Sequence, residues 1–211
     1  MASISEVLEA ANCIGLVAFA LSGVFKGINA KLDLLGVSIL GFLTALGGGI
    51  VRDILVNSVP KALTGISDIT TTALGIFLAL LLYKVFRKDI TGTKPVKIID
   101  AAGLSAFSVT GFLVGAQSGL NGFGIVLLGV ITGTGGGLIS ELLTGKVPSV
   151  LKEDFYASCS LIGGILFLIT YGKFSTEVST GITFVTILTL RLTAILKGWR
   201  LPRFGLYEER D

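Results

Sequence analysis

Residues 44–60 read TALGGGIVRDILVNSVP, and place three consecutive glycines, Gly47, Gly48 and Gly49, inside a run otherwise apolar enough to cross a bilayer. A glycine in a helix interior costs about 1 kcal/mol relative to alanine, so the triplet predicts a kinked or interrupted helix. Backbone groups freed by a break cannot face lipid; they are tolerated at membrane depth only inside protein or along a polar cavity. Arg52 and Asp53 follow directly, and ionisable side chains within a spanning segment point to function. The pattern returns at residues 132–148, TGTGGGLISELLTGKVP, where Gly135, Gly136 and Gly137 precede Ser140 and Glu141. The rest of the chain reads as the housing of these two stretches.

Composition sets the class. Of 211 residues, 52% are hydrophobic and only 15% charged, with 29 glycines, far from an average soluble domain. The chain is predicted to be an all-α polytopic membrane protein forming a single membrane domain over residues 1–211. The N-terminus carries Glu6 and Glu9 and lacks a basic region, so the first apolar run is expected to remain as a span rather than act as a signal peptide. Net charge is only +3, and no basic patch is interleaved with exposed aromatics, so nucleic acid is not an expected partner. Cys13 and Cys159 lie in apolar runs and read as small hydrophobes, and histidine is absent.

Runs near the ~20 residues needed to span a bilayer occur at about 5–25, 32–57, 66–86, 97–117, 120–145, 154–172 and 177–197. The second and fifth are long, as broken helices would be. With seven crossings, thirteen basic residues, including Lys26, Lys31, Lys94, Lys97 and Lys146, fall on one side, while Lys61 and Lys173 fall on the other. The positive-inside rule then puts the N-terminus outside the cell membrane and the C-terminal tail, residues 198–211, in the cytoplasm. The lysine cluster in the link at residues 87–96 reads as topology signal and solvated loop, with anionic lipid as the other reading.

A shift of 88 residues, without a gap, superposes Gly15 on Gly103, Phe19 on Phe107, Gly23 on Gly111, Thr44 on Thr132, the two glycine triplets, and Val59-Pro60 on Val147-Pro148. Repeat one (5–86) and repeat two (97–172) each hold three spans. An odd number forces the second copy to enter the membrane upside down, giving two inverted three-helix repeats with a seventh helix, 177–197, appended.

Matched glycine breaks in inverted repeats point to a binding or permeation site near the midplane. The candidate pathway residues are Thr44, Gly47, Gly48, Gly49, Arg52 and Asp53 in one copy, and Thr132, Gly135, Gly136, Gly137, Ser140 and Glu141 in the other. Two readings stay open for the charged members: a structural ion pair or cap, and direct contact with a permeant species. Arg191, within span seven, reads as snorkelling or as a structural or gating charge that pairs with Asp53 or Glu141. Asp68 and Asp100, near the starts of spans three and four, read as carboxylates suited to helix N-termini. No nucleotide motif fits: Leu138 stands where G-x-G-x-x-G needs its last glycine, and the TGK at 144–146 lacks the upstream glycine of a P-loop. No aqueous segment carries a catalytic constellation, so an enzyme is not expected.

GGGIVRD followed by Val59-Pro60, the second GTGGG with Val147-Pro148 at the same distance, and the AFALSG and AFSVTG stretches together resemble the prokaryotic members of the trimeric intracellular cation (TRIC) channel family. The resemblance covers roughly residues 5–197. It implies a homotrimer in which each protomer holds its own pore, conducting potassium and less selectively sodium, lined by the kinked second and fifth helices. No cofactor beyond the permeant ions is implied. The second copy departs from the family pattern, with Ser140-Glu141 where Arg-Asp is usual. A secondary transporter of a small solute such as glycine is the competing expectation.

Overall fold

Side-chain caps and a left-handed glycine set boundaries of three of the long helices in this chain. A computed structural model describes residues 4–86, 93–152 and 155–199. Among them the helices are α1 (Ile4–Asn29), α2 (Leu34–Leu55), α3 (Lys61–Thr64), α4 (Ser67–Phe86), α5 (Thr93–Gln117), α6 (Gly122–Leu143), α7 (Ser149–Lys152), α8 (Ala157–Thr170) and α9 (Thr176–Lys197). Asp33 starts α2 by accepting a hydrogen bond from the Gly36 amide at 2.7 Å, and Asn121 starts α6 through the Gly124 amide at 2.8 Å. A side-chain oxygen at this position satisfies a backbone donor that the helix itself leaves over. Gly198, left-handed at φ 62°, ends α9.

Six helices, α1, α2, α4, α5, α6 and α9, are long and apolar enough to cross a membrane. The expected span at 154–172 is shorter: α8 has 14 residues, about 21 Å at 1.5 Å per residue, and ends where Gly172 turns the chain at φ 86°. Two further boundaries differ from the sequence reading. α1 runs on to Asn29 and takes Lys26 out of the loop, and α5 begins at Thr93, so Asp100 lies two turns inside a helix. Residues 87–92 and 200–211, with most of the basic cluster and tail, lie outside the described residues.

The spans centred on the glycine triplets are continuous α-helices, so of the two predicted outcomes, a kink or an interruption, the interruption does not occur. Helical hydrogen bonding runs through Gly47–Gly49 and Gly135–Gly137 because the glycines bring two helices together. A Cβ on Gly48 would strike the Thr132 carbonyl oxygen, and one on Gly136 would strike that of Thr44. These pairings run in opposite chain directions, so α2 and α6 cross antiparallel. The close approach recovers in packing what glycine costs in propensity.

α1 and α5 are also antiparallel. The Phe107 ring lies against Gly15 and the Phe19 ring against Gly103. Gly23 admits Thr44 and the Leu40 carbonyl, and Gly111 admits Gly129 and the Leu128 carbonyl, as the GxxxG pairs predict. The centre of the molecule is thus α1, α2, α5 and α6, with α4 against α1, α9 against α5 and α8, and α8 against α6. Leu104, Phe107, Phe112 and Leu113 of α5 are fully enclosed, whereas α4 turns Leu74, Phe77 and Val85 outward, as a lipid-facing helix does.

Candidate functional site: polar clusters at the two ends of α2 and α6

Because α2 and α6 are antiparallel, their C-terminal turns, which carry the ionisable residues, lie at opposite ends of the central bundle. At the α2 end, Arg52 and Asp53 are both buried. The Arg52 Nε donates to Asp53 Oδ1 at 2.8 Å, and Nη1 donates to the Thr110 hydroxyl of α5 at 3.4 Å. The other Asp53 oxygen accepts the Lys61 amide, the first of α3, at 3.0 Å. Nearby, Asn12 Nδ2 donates to Asp68 Oδ1 at 2.9 Å. Asn12, Gly49, Arg52, Asp53, Asp68 and Phe107 line a cavity of about 10 Å³, room for one water.

At the α6 end the counterparts 88 residues on recur with changed chemistry. Glu141 Oε2 accepts the Ser149 amide, the first of α7, and Oε1 accepts the Ser149 hydroxyl at 2.8 Å. Asp100, the counterpart of Asn12, accepts from Tyr156, the counterpart of Asp68, at 2.6 Å and from Ser22, the counterpart of Thr110, at 2.9 Å. Where Arg52 neutralises Asp53 within α2, here the cation comes from α1. Lys26 Nζ reaches Asp100 Oδ1 at 3.1 Å, Ser140 Oγ at 3.2 Å and Glu141 Oε1 at 3.4 Å. Desolvating an ammonium is expensive, and two carboxylates with a hydroxyl offset that cost. Lys26, Asp100, Glu141, Lys146, Tyr156 and Arg191 border a cavity of about 150 Å³.

Arg191 does not snorkel. It is buried, stacked 4.7 Å from the Tyr156 ring centroid, with Nη1 donating to the Phe155 carbonyl at 3.3 Å. It belongs to the α6 end, on the cavity that Glu141 lines, and not to the cavity of Asp53. Asp68 stands in the first turn of α4 as expected, but Asp100 does not serve a helix start.

The other predicted residues divide. Thr44 and Thr132 are fully buried, and their hydroxyls donate back to the Leu40 and Leu128 carbonyls at 2.5 and 2.6 Å. Gly47, Gly48, Gly135 and Gly136 all lie at the α2–α6 contact, Gly47 against the flexible end of Ile139 on α6. Gly49 and Gly137 face the two clusters, the first near Arg52 and the second against the Tyr156 hydroxyl and Asp100. Among the described residues no group of acids and cysteines has metal-binding geometry. Lys26, Asp100, Tyr156, Ser22 and Ser149 were missed as site residues. The 88-residue shift holds the signal for three of them, since it pairs polar with polar at 12/100, 22/110 and 68/156 inside or beside apolar runs.

A family model described as Glycine transporter matches residues 9–85 and 97–172, the two repeats. The UPF0126 membrane protein YvgT of Bacillus subtilis (strain 168) is 33% identical over 92% of this chain and 95% of its own length. The UPF0126 inner membrane protein YadS of Escherichia coli (strain K12) is 32% identical over the same shares. A structure reported for the structural basis of conductance through TRIC cation channels is 34% identical, with a TM-score of 0.82 over 94% of this chain and 98% of its own. The crystal structure of a prokaryotic TRIC channel in 0.5 M KCl is 32% identical, with a TM-score of 0.86 over 94% of this chain and 100% of its own. The orthologue from Rhodobacter sphaeroides, described as a trimeric intracellular cation channel, reaches 0.80 at 25% identity over 92% and 99%. These relatives are membrane proteins and channels, not enzymes.

Proposed function

Because this chain belongs to the TRIC family of multi-pass membrane proteins, we propose that it is a monovalent cation channel, selective for potassium, with a pathway inside each protomer of a homotrimer. The observation that carries this reading is the pair of polar clusters at opposite ends of antiparallel α2 and α6. Each holds at least one buried carboxylate beside a cavity, in a bundle whose outer face is apolar. Ionisable groups at such depth in a lipid-facing bundle mark an ion path. The pathway runs from Asn12, Asp53 and Asp68, past Gly49 and Gly137, to Asp100, Ser140 and Glu141. The two repeats are inverted across the membrane, with α9 appended. The N-terminus is outside and the C-terminus in the cytoplasm, so the Lys26 end faces inward. Permeant ions are the only small molecules the mechanism uses.

We read this conformation as closed. The two cavities share no lining residue, and the Phe19–Phe107 pair and the α2–α6 glycine contact lie between them. A channel must bind its ion weakly enough to release it, which suits sparse carboxylates already neutralised by side-chain cations. A second reading, transport of a small zwitterion such as glycine, is favoured by one observation: the inner cavity presents carboxylates and basic groups together. Recording purified protein in a planar bilayer under a KCl gradient separates the two. Unitary currents reversing near the potassium equilibrium potential support the channel. Saturable glycine uptake without unitary current supports the transporter.

A further inference from the structure

The cation reaching Glu141 is supplied from another helix, and the oxygens around it are held without it. Asp100 is fixed by Ser22 at 2.9 Å and Tyr156 at 2.6 Å. Glu141 is fixed by the amide and hydroxyl of Ser149. Ser140 donates its hydroxyl to the Gly137 carbonyl at 2.8 Å, which leaves its lone pairs turned to the Lys26 ammonium. Three oxygens from α5 and α6 are therefore preorganised around one monovalent charge at 3.1–3.4 Å. Oxygens fixed by their own partners are what a partly dehydrated ion needs in place of its water shell. The lysine that fills the position stands on a flexible four-carbon stem beside the cavity of about 150 Å³, which gives it somewhere to go. The corresponding position in the other repeat is Val114, so no ammonium comes from the matching place at the outer end.

We infer that Asp100, Ser140 and Glu141 form a monovalent-cation site at the inner mouth and that the Lys26 ammonium is its tethered occupant, excluding the permeant ion until the side chain withdraws into the adjoining cavity. This rests on the channel reading above. A tethered group competes at an effective concentration set by its short stem, so the block is relieved by movement of the side chain rather than by dilution. Tyr156, held between Arg191 and Asp100, positions the site.

The test uses the full chain in planar bilayers with symmetric KCl. Lys26→Met, which keeps the stem and removes the charge, is expected to raise the mean current several-fold. In a background of Cys13→Ser and Cys159→Ala, Lys26→Cys is expected to lose current when aminoethyl methanethiosulfonate restores an ammonium, and to keep it after the neutral methyl reagent. Because both reagents act on one folded preparation, this arm does not depend on how Lys26→Met assembles. Independently of conduction, the melting temperature of Lys26→Met is expected to rise when potassium replaces N-methyl-D-glucamine, while that of the wild type stays flat. Wild-type currents unchanged by Lys26→Met and by both reagents, with no potassium-dependent melting, would overturn the inference and leave the channel reading standing. Silence of every variant alongside a potassium-dependent melting shift would overturn the channel reading and retain the site. Silence with no shift would overturn both.

Discussion

Phe19 and Phe107, 88 residues apart, meet edge to face with ring centroids 5.3 Å apart, and each ring covers the glycine one helical turn before the other, Phe107 on Gly15 and Phe19 on Gly103. The contact is reciprocal, so each ring loses the same kind of neighbours when truncated. Phe19→Ala and Phe107→Ala are therefore expected to destabilise by similar amounts, about 3–5 kcal/mol each. Both should also open space between the two cavities and raise basal cation flux. Thermal unfolding in detergent and flux from liposomes check the pair. A large difference between the two variants would show that the rings do different jobs.

The glycine triplets change meaning between sequence and structure. A side chain at Gly48 or Gly136 meets a backbone carbonyl that cannot step aside, whereas one at Gly49 finds only Arg52 Nη2 at 3.8 Å. Gly48→Ala and Gly136→Ala are expected to force α2 and α6 apart and lower assembled yield and melting temperature, while Gly49→Ala leaves both near wild type. If all three alanine variants melt alike, the α2–α6 contact is looser than the structure has it.

What was legible in the sequence is what hydropathy and self-similarity carry. The spans follow from apolar length. Caps one repeat apart, Asp33 and Asn121, start α2 and α6 at matching positions. The charged cluster was not legible in the same way. Lys26 reads as the end of a span because a lone lysine is costly in lipid. Its place inside α1 depends on Asp100 and Glu141, 74 and 115 residues away, which no local window contains. Nor does propensity alone distinguish a glycine that breaks a helix from one that lets another helix in, since the deciding partner of Gly48 is the carbonyl of Thr132 on the other repeat.

Sidedness gives a separate check. Lys94 near the start of α5 and Lys173 after α8 are both exposed. In a background lacking Cys13 and Cys159, single cysteines at Lys94 and Arg203 are expected to react with an impermeant thiol reagent only from the cytoplasm, and one at Lys173 only from outside. Reaction of Lys94 and Lys173 positions from one side would end the inverted arrangement.

The two carboxylates that follow the glycines predict unequal consequences. Asp53 has the buried Arg52 as its partner, and that guanidinium otherwise donates to the neutral Thr110 hydroxyl at 3.4 Å. Removing the Asp53 charge leaves a desolvated cation without its counter-charge, a change that typically costs about 3–5 kcal/mol. Glu141 shares Lys26 with Asp100, which lies closer, at 3.1 Å against 3.4 Å, so Glu141→Gln leaves the ammonium neutralised. The amide also keeps an oxygen to accept from the Ser149 amide. Asp53→Asn is therefore expected to reduce melting temperature and assembled yield well below those of Glu141→Gln, which should instead act on conduction by loosening one of the two carboxylates that hold Lys26. Removing Arg52 as well should recover part of the Asp53→Asn loss, because the double variant Arg52→Met, Asp53→Asn no longer buries an uncompensated charge. Measured melting temperatures for the two single variants and the double variant decide it: equal losses in the singles, or no recovery in the double, would mean that the Arg52–Asp53 pair is not what holds the outer end together.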